Sequence, residues 1–119
     1  MNVAVIGASN KSHRYSYQAV MLLKEKGHHV YPVHPKIKEI DGEKVYASVR
    51  EIDAPIDTIT LYVNRDLSDM IAADLLSRNP GRIIFNPGAE NPDLEKKAAD
   101  KGIVVLNACT LVMLRTGRF

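Results

Sequence analysis

The sequence predicts a doubly wound α/β fold with a mostly parallel sheet of about five strands and helices on both faces. The chain opens on the apolar run Asn2–Ile6, which lacks the alternation of a half-exposed strand and is typical of one buried on both faces. Segments of strand and helix character then alternate along the chain. This alternation favours parallel strands joined by right-handed helical crossovers.

Glycine and proline mark the limits of the elements that follow. A helix is predicted over Tyr15–Lys26, because Gly27 is typical of the position just beyond a helix end. The second strand, His29–Val33, is closed by Pro35. The remaining strands are predicted at Asp57–Val63, Arg82–Phe85 and Ile103–Leu106, and the remaining helices at Asp66–Arg78, Asn91–Lys101 and Leu111–Leu114.

Two stretches are read from local patterns. In the helix Asp66–Arg78, the leucines and isoleucine at Leu67, Ile71 and Leu75 are four residues apart, which places them on one apolar face. Between the second and third strands, Asp41-Gly42 predicts a tight turn. That turn is compatible with a hairpin or with a short edge strand at Val45–Tyr46.

Composition limits the class of protein. The 119 residues suit one domain spanning the chain, and 45% hydrophobic with 25% charged residues is ordinary for a soluble protein. A net charge of +2 makes no case for a nucleic-acid partner, and no apolar run has the length of a membrane span or of a signal segment. Cys109 is the only cysteine, so no internal disulfide forms. We therefore expect a cytoplasmic protein that binds neither nucleic acid nor membrane.

The turn Gly7-Ala8-Ser9 follows the first strand and is a candidate anion site. Glycine lets the backbone turn sharply there, and the N–H groups of the turn together with the start of the next helix favour a phosphate. The full Gly-x-Gly-x-x-Gly fingerprint is absent, since Ser9 occupies the second glycine position. A plain turn between strand and helix is the alternative.

The end of the second strand indicates which nucleotide would fit. NAD-binding folds carry Asp or Glu there to bind the adenosine ribose, whereas this chain reads Val33-His34-Pro35-Lys36 with no acid. The loop therefore suits a nucleotide with an additional phosphate at that end, or is only a stiff connection. On the first loop, Lys11, His13 and Arg14 are candidate phosphate ligands, or solvated surface charges.

Further polar residues follow the other strand ends, at Asn64–Asp66, Asn86–Asn91 and Asn107–Thr110. Cys109 is either a reactive thiol at a helix start or a small buried apolar group. Glu90 is either a general base or a carboxylate at the positive end of a helix dipole. We find no metal-ligand spacing, no Gly-x-Ser-x-Gly nucleophile motif and no Walker lysine pattern.

Four segments in this order resemble the single-domain CoA-binding protein family, whose Rossmann-like module also occurs in the α subunits of succinyl-CoA synthetases. They are Val5–Ser9, Lys26-Gly27 with Val30–Pro35, Ile84–Asn91, and Ala98–Val105 leading to Cys109. The resemblance covers nearly the whole chain. It implies a Rossmann-like fold with CoA or acyl-CoA over the first glycine turn and the adenosine end near Pro32–Pro35.

The expected function is a binding or sensor module for coenzyme A, with no catalytic residue and no metal ligand. This expected function is compatible with a homodimer or with an unidentified protein partner. A small NADP-dependent reductase, a nucleotide-binding regulatory domain and an interaction module with a vestigial cleft remain alternatives; a chain of 119 residues has no second domain for a hydride acceptor. The expected cofactor-binding residues are Gly7, Ala8, Ser9, Lys11, Arg14, Tyr15, Val33, His34, Pro35, Lys36, Asn64, Asn86, Pro87, Gly88, Ala89 and Cys109.

Overall fold

A computed structural model describes residues 1–119 and contains seven strands and four α-helices. The strands are β1 (Asn2–Ile6), β2 (His29–Val33), β3 (Glu39–Ile40), β4 (Glu43–Lys44), β5 (Thr58–Leu61), β6 (Arg82–Phe85) and β7 (Val104–Asn107). The helices are α1 (Tyr15–Glu25), α2 (Arg65–Ser77), α3 (Pro92–Asp100) and α4 (Thr110–Arg115), and Val49–Glu51 form one 3₁₀ turn. None of these helices is long and apolar enough to cross a bilayer.

Five strands form one parallel sheet in the order β2-β1-β5-β6-β7. The chain leaves β1 toward β2 on one side and later returns to place β5 on the other side, so the strand order reverses between β1 and β5. In open α/β sheets, ligands bind beyond the carboxyl ends of the strands at such a reversal. The topology therefore directs attention to the loops after Ile6 and Leu61.

Helices cover both faces of the sheet, and each face has its own apolar core. On one face, Val3 and Val5 of β1 pack with Val20 and Leu23 of α1 and Leu114 of α4. The core of the other face joins side chains of β5 and β6 to α2 and α3, and includes Ile59, Leu61, Phe85, Leu75, Leu94 and Ala98. The predicted doubly wound fold is thus confirmed.

The stretch between β2 and β5 forms a hairpin, and the edge strand predicted at Val45–Tyr46 is reduced to one bridge beside β2. Asp41 and Gly42 both have positive φ, 48° and 81°, as a two-residue hairpin turn requires, and they join β3 to β4. Tyr46 makes only a single bridge with Val33. Its N–H donates to the Pro32 carbonyl at 2.9 Å, which covers the outer edge of β2.

The apolar face of α2 is shorter than the four-residue spacing of Leu67, Ile71 and Leu75 predicts. Leu75 is fully buried and Ile71 packs against the core, but Leu67 is 49% exposed. Leu67 lies in the first turn of α2, close to where the chain leaves the carboxyl end of β5. The expectation that Leu67 faces the core is therefore wrong, and its side chain is left beside the carboxyl edge of the sheet.

Candidate functional site

A cleft of about 560 Å³ opens at the carboxyl edge of the sheet, beside the reversal of strand order. We call it the first cleft. The loop after β1 and the start of α1 form one wall, and the residues that follow β5, β6 and β7 form the floor and the other wall. Its lining residues are Gly7, Ala8, Ser9, Asn10, Lys11, His13, Arg14, Tyr15, Ser16, His34, Ile37, Tyr62, Asn86, Pro87 and Cys109.

Gly7 is required by both conformation and space. Its φ is +85°, and a Cβ there would lie 2.8 Å from Cγ1 of Val63 and 3.3 Å from the carbonyl of Tyr62. The N–H groups of Gly7 and Ala8 both donate to the Val33 carbonyl, at 3.1 and 3.2 Å. These two N–H groups are therefore engaged inside the fold, and within the predicted Gly7-Ala8-Ser9 turn only the Ser9 N–H stays free for an anion.

The N–H groups open to an anion lie further along the loop. Between residues 9 and 13 no backbone N–H donates to a backbone carbonyl, and the Lys11 N–H donates to the Ser9 hydroxyl at 3.0 Å. Helix α1 begins without a side-chain cap at Arg14 and without an acid in its first turn. By contrast, α2 and α3 are capped by Asn64 and Asn91 and carry acids there. The start of α1 thus keeps free donors and the positive end of its dipole.

Cationic side chains surround this helix start. Lys11, His13 and Arg14 are exposed and line the first cleft. The ion pairs of the chain lie elsewhere, so no carboxylate neutralises Lys11 or Arg14. Charged donors next to uncapped backbone N–H groups are an arrangement that binds phosphate or diphosphate.

His34 shapes the loop after β2. Its Nδ1 accepts the backbone N–H groups of Lys36 and Ile37, at 3.0 and 3.2 Å. With Nδ1 accepting, the proton of the neutral ring lies on Nε2, which remains available as a donor. His34 therefore combines a local structural role with a place on the wall of the first cleft.

A buried hydrogen-bond network forms the floor of the cleft. The Nδ2 of Asn86 donates to the Thr60 hydroxyl at 2.8 Å and to the Leu61 carbonyl at 2.9 Å. Its Oδ1 accepts the Thr110 N–H at 2.8 Å, and the Thr60 and Thr110 hydroxyls are 2.7 Å apart. Because both hydrogens of Nδ2 and one lone pair of Oδ1 are engaged, this residue fastens α4 to the sheet and has no free donor for a ligand.

Tyr62 and Cys109 lie next to this network. Burial raises the pKa of the Tyr62 hydroxyl to about 12, against the opposing effect of the nearby Thr110 hydroxyl. The hydroxyl has no hydrogen-bond partner of suitable geometry in the chain. Cys109 is half-buried and occupies the N-cap position of α4. Its side chain faces the same first cleft as the Gly7 turn.

A second cleft, of about 510 Å³, lies on the other side of the Gly7 turn. It shares Gly7, His34 and Tyr62 with the first cleft. Most of the other lining is apolar, including Leu67 and Met70, which are 49% and 80% exposed. The two clefts together offer a polar, basic half and an apolar half joined at the switch point of the sheet.

Most of the predicted site residues line one of the two clefts, but they do not all line the same one. Val33, Pro35 and Asn64 line the second cleft, and Asn64 also caps α2 by accepting the Leu67 N–H at 3.0 Å. Lys36, Gly88 and Ala89 line neither cleft. The first cleft brings together Gly7, Ala8, Ser9, Lys11, Arg14, Tyr15, His34, Asn86, Pro87 and Cys109.

Glu90 hydrogen-bonds within the turn that follows β6. Its Oε1 accepts the Gly88 N–H at 3.0 Å, so the carboxylate organises the turn after β6. Ala89 is buried at 2% exposure. Sequence reasoning missed four lining residues of the first cleft: Tyr62, Ile37, Asn10 and Ser16. For Tyr62 a signal existed, because it is the first residue after a strand next to β1 and combines an aromatic body with a polar tip.

Comparison with known proteins places these features in a family. The profile described as "CoA binding domain" matches residues 1–115. The chain is 27% identical over 111 residues to the uncharacterized protein YneT of Bacillus subtilis, covering 92% of this chain and 82% of YneT. A solved structure of a hypothetical protein from Pyrococcus horikoshii has a TM-score of 0.90 at 30% identity, over 96% of this chain and 81% of that one.

A further relative is a subunit of an enzyme. The chain is 32% identical over 104 residues to the α subunit of ADP-forming acetate–CoA ligase II of Pyrococcus furiosus, covering 86% of this chain. It spans 23% of the length of that subunit. The similarity therefore concerns one region of a larger protein, and it agrees with the profile match and the parallel sheet. The chain belongs to the family of CoA-binding domains.

Proposed function

We propose that the chain binds CoA or acyl-CoA across the two clefts, as a binding or sensor module without a catalytic centre of its own. The observation that carries the proposal is the uncapped, basic start of α1 next to the Gly7 turn, in a chain of the CoA-binding domain family. A diphosphate fits that feature, because free N–H groups, the helix dipole and unpaired cations act together there.

The two clefts suggest how the ligand would lie. The diphosphate would meet Lys11 and Arg14 in the first cleft. The adenine ring would find apolar contacts in the second cleft, beside Val33 and Pro35. The thiol arm would run over the strand ends toward Cys109. This arrangement uses both halves of the site and needs no further domain.

Titration calorimetry tests the choice of ligand. We expect CoA to bind more tightly than NAD, because the Val33–Lys36 loop carries no carboxylate for the free ribose hydroxyls of NAD. NADPH belongs in the same series, since it too has a phosphate near the adenosine ribose and represents the reductase alternative. Binding of NAD as tightly as CoA, or tighter, would overturn the proposal; NADPH binding ahead of CoA would favour the reductase.

Charge removal tests the phosphate contacts. Lys11→Ala and Arg14→Ala are each expected to weaken CoA binding about tenfold, since a hydrogen bond to a charged group contributes roughly 1.5–3 kcal/mol. We expect a loss for Lys36→Ala too, provided the ligand reaches beyond the second cleft to the loop that carries Lys36. In these variants the CoA affinity should also depend less on salt concentration than in the parent.

The matched control for these variants is Lys101→Ala. Lys101 is exposed and caps the far end of α3, before β7, on the opposite edge of the sheet. The Lys101→Ala variant should bind CoA with the same affinity as the parent. If the Lys11, Arg14 and Lys36 variants also bind like the parent at low salt, these three side chains are solvated surface charges and the phosphate placement is wrong.

A further inference from the structure

The hydroxyl of Tyr62 is buried without a hydrogen-bond partner in the chain. Its nearest polar neighbours are already engaged, since the Thr60 and Thr110 hydroxyls lie 2.7 Å apart and Asn86 donates to Thr60 at 2.8 Å. An unpartnered buried hydroxyl is unfavourable, and in native proteins it calls for an explanation. With its pKa raised by burial, this phenol stays protonated at physiological pH and acts as a donor.

Sheet order places Tyr62 on the route across the strand ends. Gly7 follows β1, Tyr62 follows β5, Asn86 follows β6, and Cys109 lies two residues beyond β7. These strands are neighbours in that order, so a flexible chain that runs from the Gly7 turn to Cys109 must pass Tyr62. Tyr62 also lines both clefts.

We propose that Tyr62 turns its hydroxyl into the first cleft when the ligand binds and donates a hydrogen bond to a carbonyl oxygen of the thiol arm, an amide or the thioester of acyl-CoA. The inference rests on the proposed CoA binding. Rotation of the side chain gives up only an approach to the Thr110 and Thr60 hydroxyls that does not meet hydrogen-bond geometry, and it gains a well-formed hydrogen bond. A carbonyl is the acceptor that the arm offers there, since the phosphates lie nearer the cations of the first loop.

Two ligands and two variants test this role by calorimetry. Adenosine 3′,5′-bisphosphate shares the nucleotide of CoA but lacks the arm. In Tyr62→Phe, we expect the affinity for CoA to fall roughly three- to tenfold and the affinity for the bisphosphate to stay unchanged. The melting temperature of the free variant should equal or exceed that of the parent, because an unpartnered hydroxyl is removed. The control Tyr31→Phe, which alters a half-buried tyrosine outside both clefts, should bind both ligands like the parent.

Fluorine NMR of protein labelled with 3-fluorotyrosine gives a second readout. The chain has 5 tyrosines, so the Tyr62 resonance is identified by its loss in Tyr62→Phe or, if that variant does not fold, by elimination with the other four. It should shift with CoA and not with the bisphosphate. Absence of that selective shift, CoA affinity in Tyr62→Phe equal to the parent's, or an equal loss for both ligands would overturn the role of Tyr62 alone. Failure of the parent to bind CoA would overturn the proposed function as well.

Discussion

Replacing Gly7 with alanine is expected to destabilise the protein by about 2–4 kcal/mol and to abolish measurable CoA binding. A side chain at φ +85° is strained, and its Cβ would lie 2.8 Å from Cγ1 of Val63. Val63 is β-branched and stiff at χ1, so its Cγ1 cannot simply turn aside, and the backbone carbonyl of Tyr62 also lies 3.3 Å from the same Cβ. Both clefts share this turn.

Gly27 supplies the control for the Gly7 variant. Its φ of +87° nearly equals that of Gly7, but a Cβ there meets nothing within 4 Å. Gly27→Ala should therefore carry the backbone strain alone, about 1–2 kcal/mol, and leave CoA binding intact. Chemical denaturation of the two variants isolates the effect of close packing at the turn. Equal losses of stability would show that the contact with Val63 relaxes freely.

Oxidised CoA is expected to form a mixed disulfide with Cys109. In this exchange the Cys109 thiolate attacks the disulfide of CoA disulfide, a new S–S bond forms, and one CoA leaves as a thiolate, so the electrons balance. The half-buried Cys109 lies in the first cleft, where a bound thiol arm would end. Intact mass should rise by one CoA, and dithiothreitol should reverse the gain.

Three controls separate guided exchange from simple accessibility. Cys109→Ser should show no adduct, because the chain has no other cysteine. Adenosine 3′,5′-bisphosphate should slow the reaction by occupying the nucleotide site. Glutathione disulfide should react much more slowly than CoA disulfide. Equal rates for the two disulfides, or no adduct under conditions in which CoA binds, would contradict the placement of the arm at Cys109.

Sequence patterns predicted the fold well because the limits of its elements are chemically marked. Gly27 ends α1 and Pro35 follows β2, and these residues act through backbone conformation alone, without help from distant parts of the chain. The hairpin at Asp41–Gly42 is only partly specified by the local sequence. Asp-Gly suits such a turn, but whether the flanking residues pair with each other or with β2 depends on packing against the sheet edge.

The candidate site was predictable at the level of loops and not of atoms. The glycine turn identified Gly7, but not that Val33 would accept its N–H, because that bond depends on how β1 and β2 pair. Asn86 follows a strand, as a ligand-binding asparagine would, yet Thr60 and Thr110 engage its amide. Such contacts join residues far apart in the sequence, and no local pattern records them. The position of Tyr62 between Gly7 and Cys109 likewise depends on the order of the strands.

The two walls of the first cleft are held in different ways. The network around Asn86 holds α4 against the sheet, whereas residues 10–14 are exposed and lead into an uncapped helix. If binding restricts this exposed loop, lost chain entropy offsets part of the interaction free energy of the ligand. Affinity would then change without any change in contacts. A residue that stiffens the loop in its bound shape would tighten binding, and one that loosens it would weaken binding.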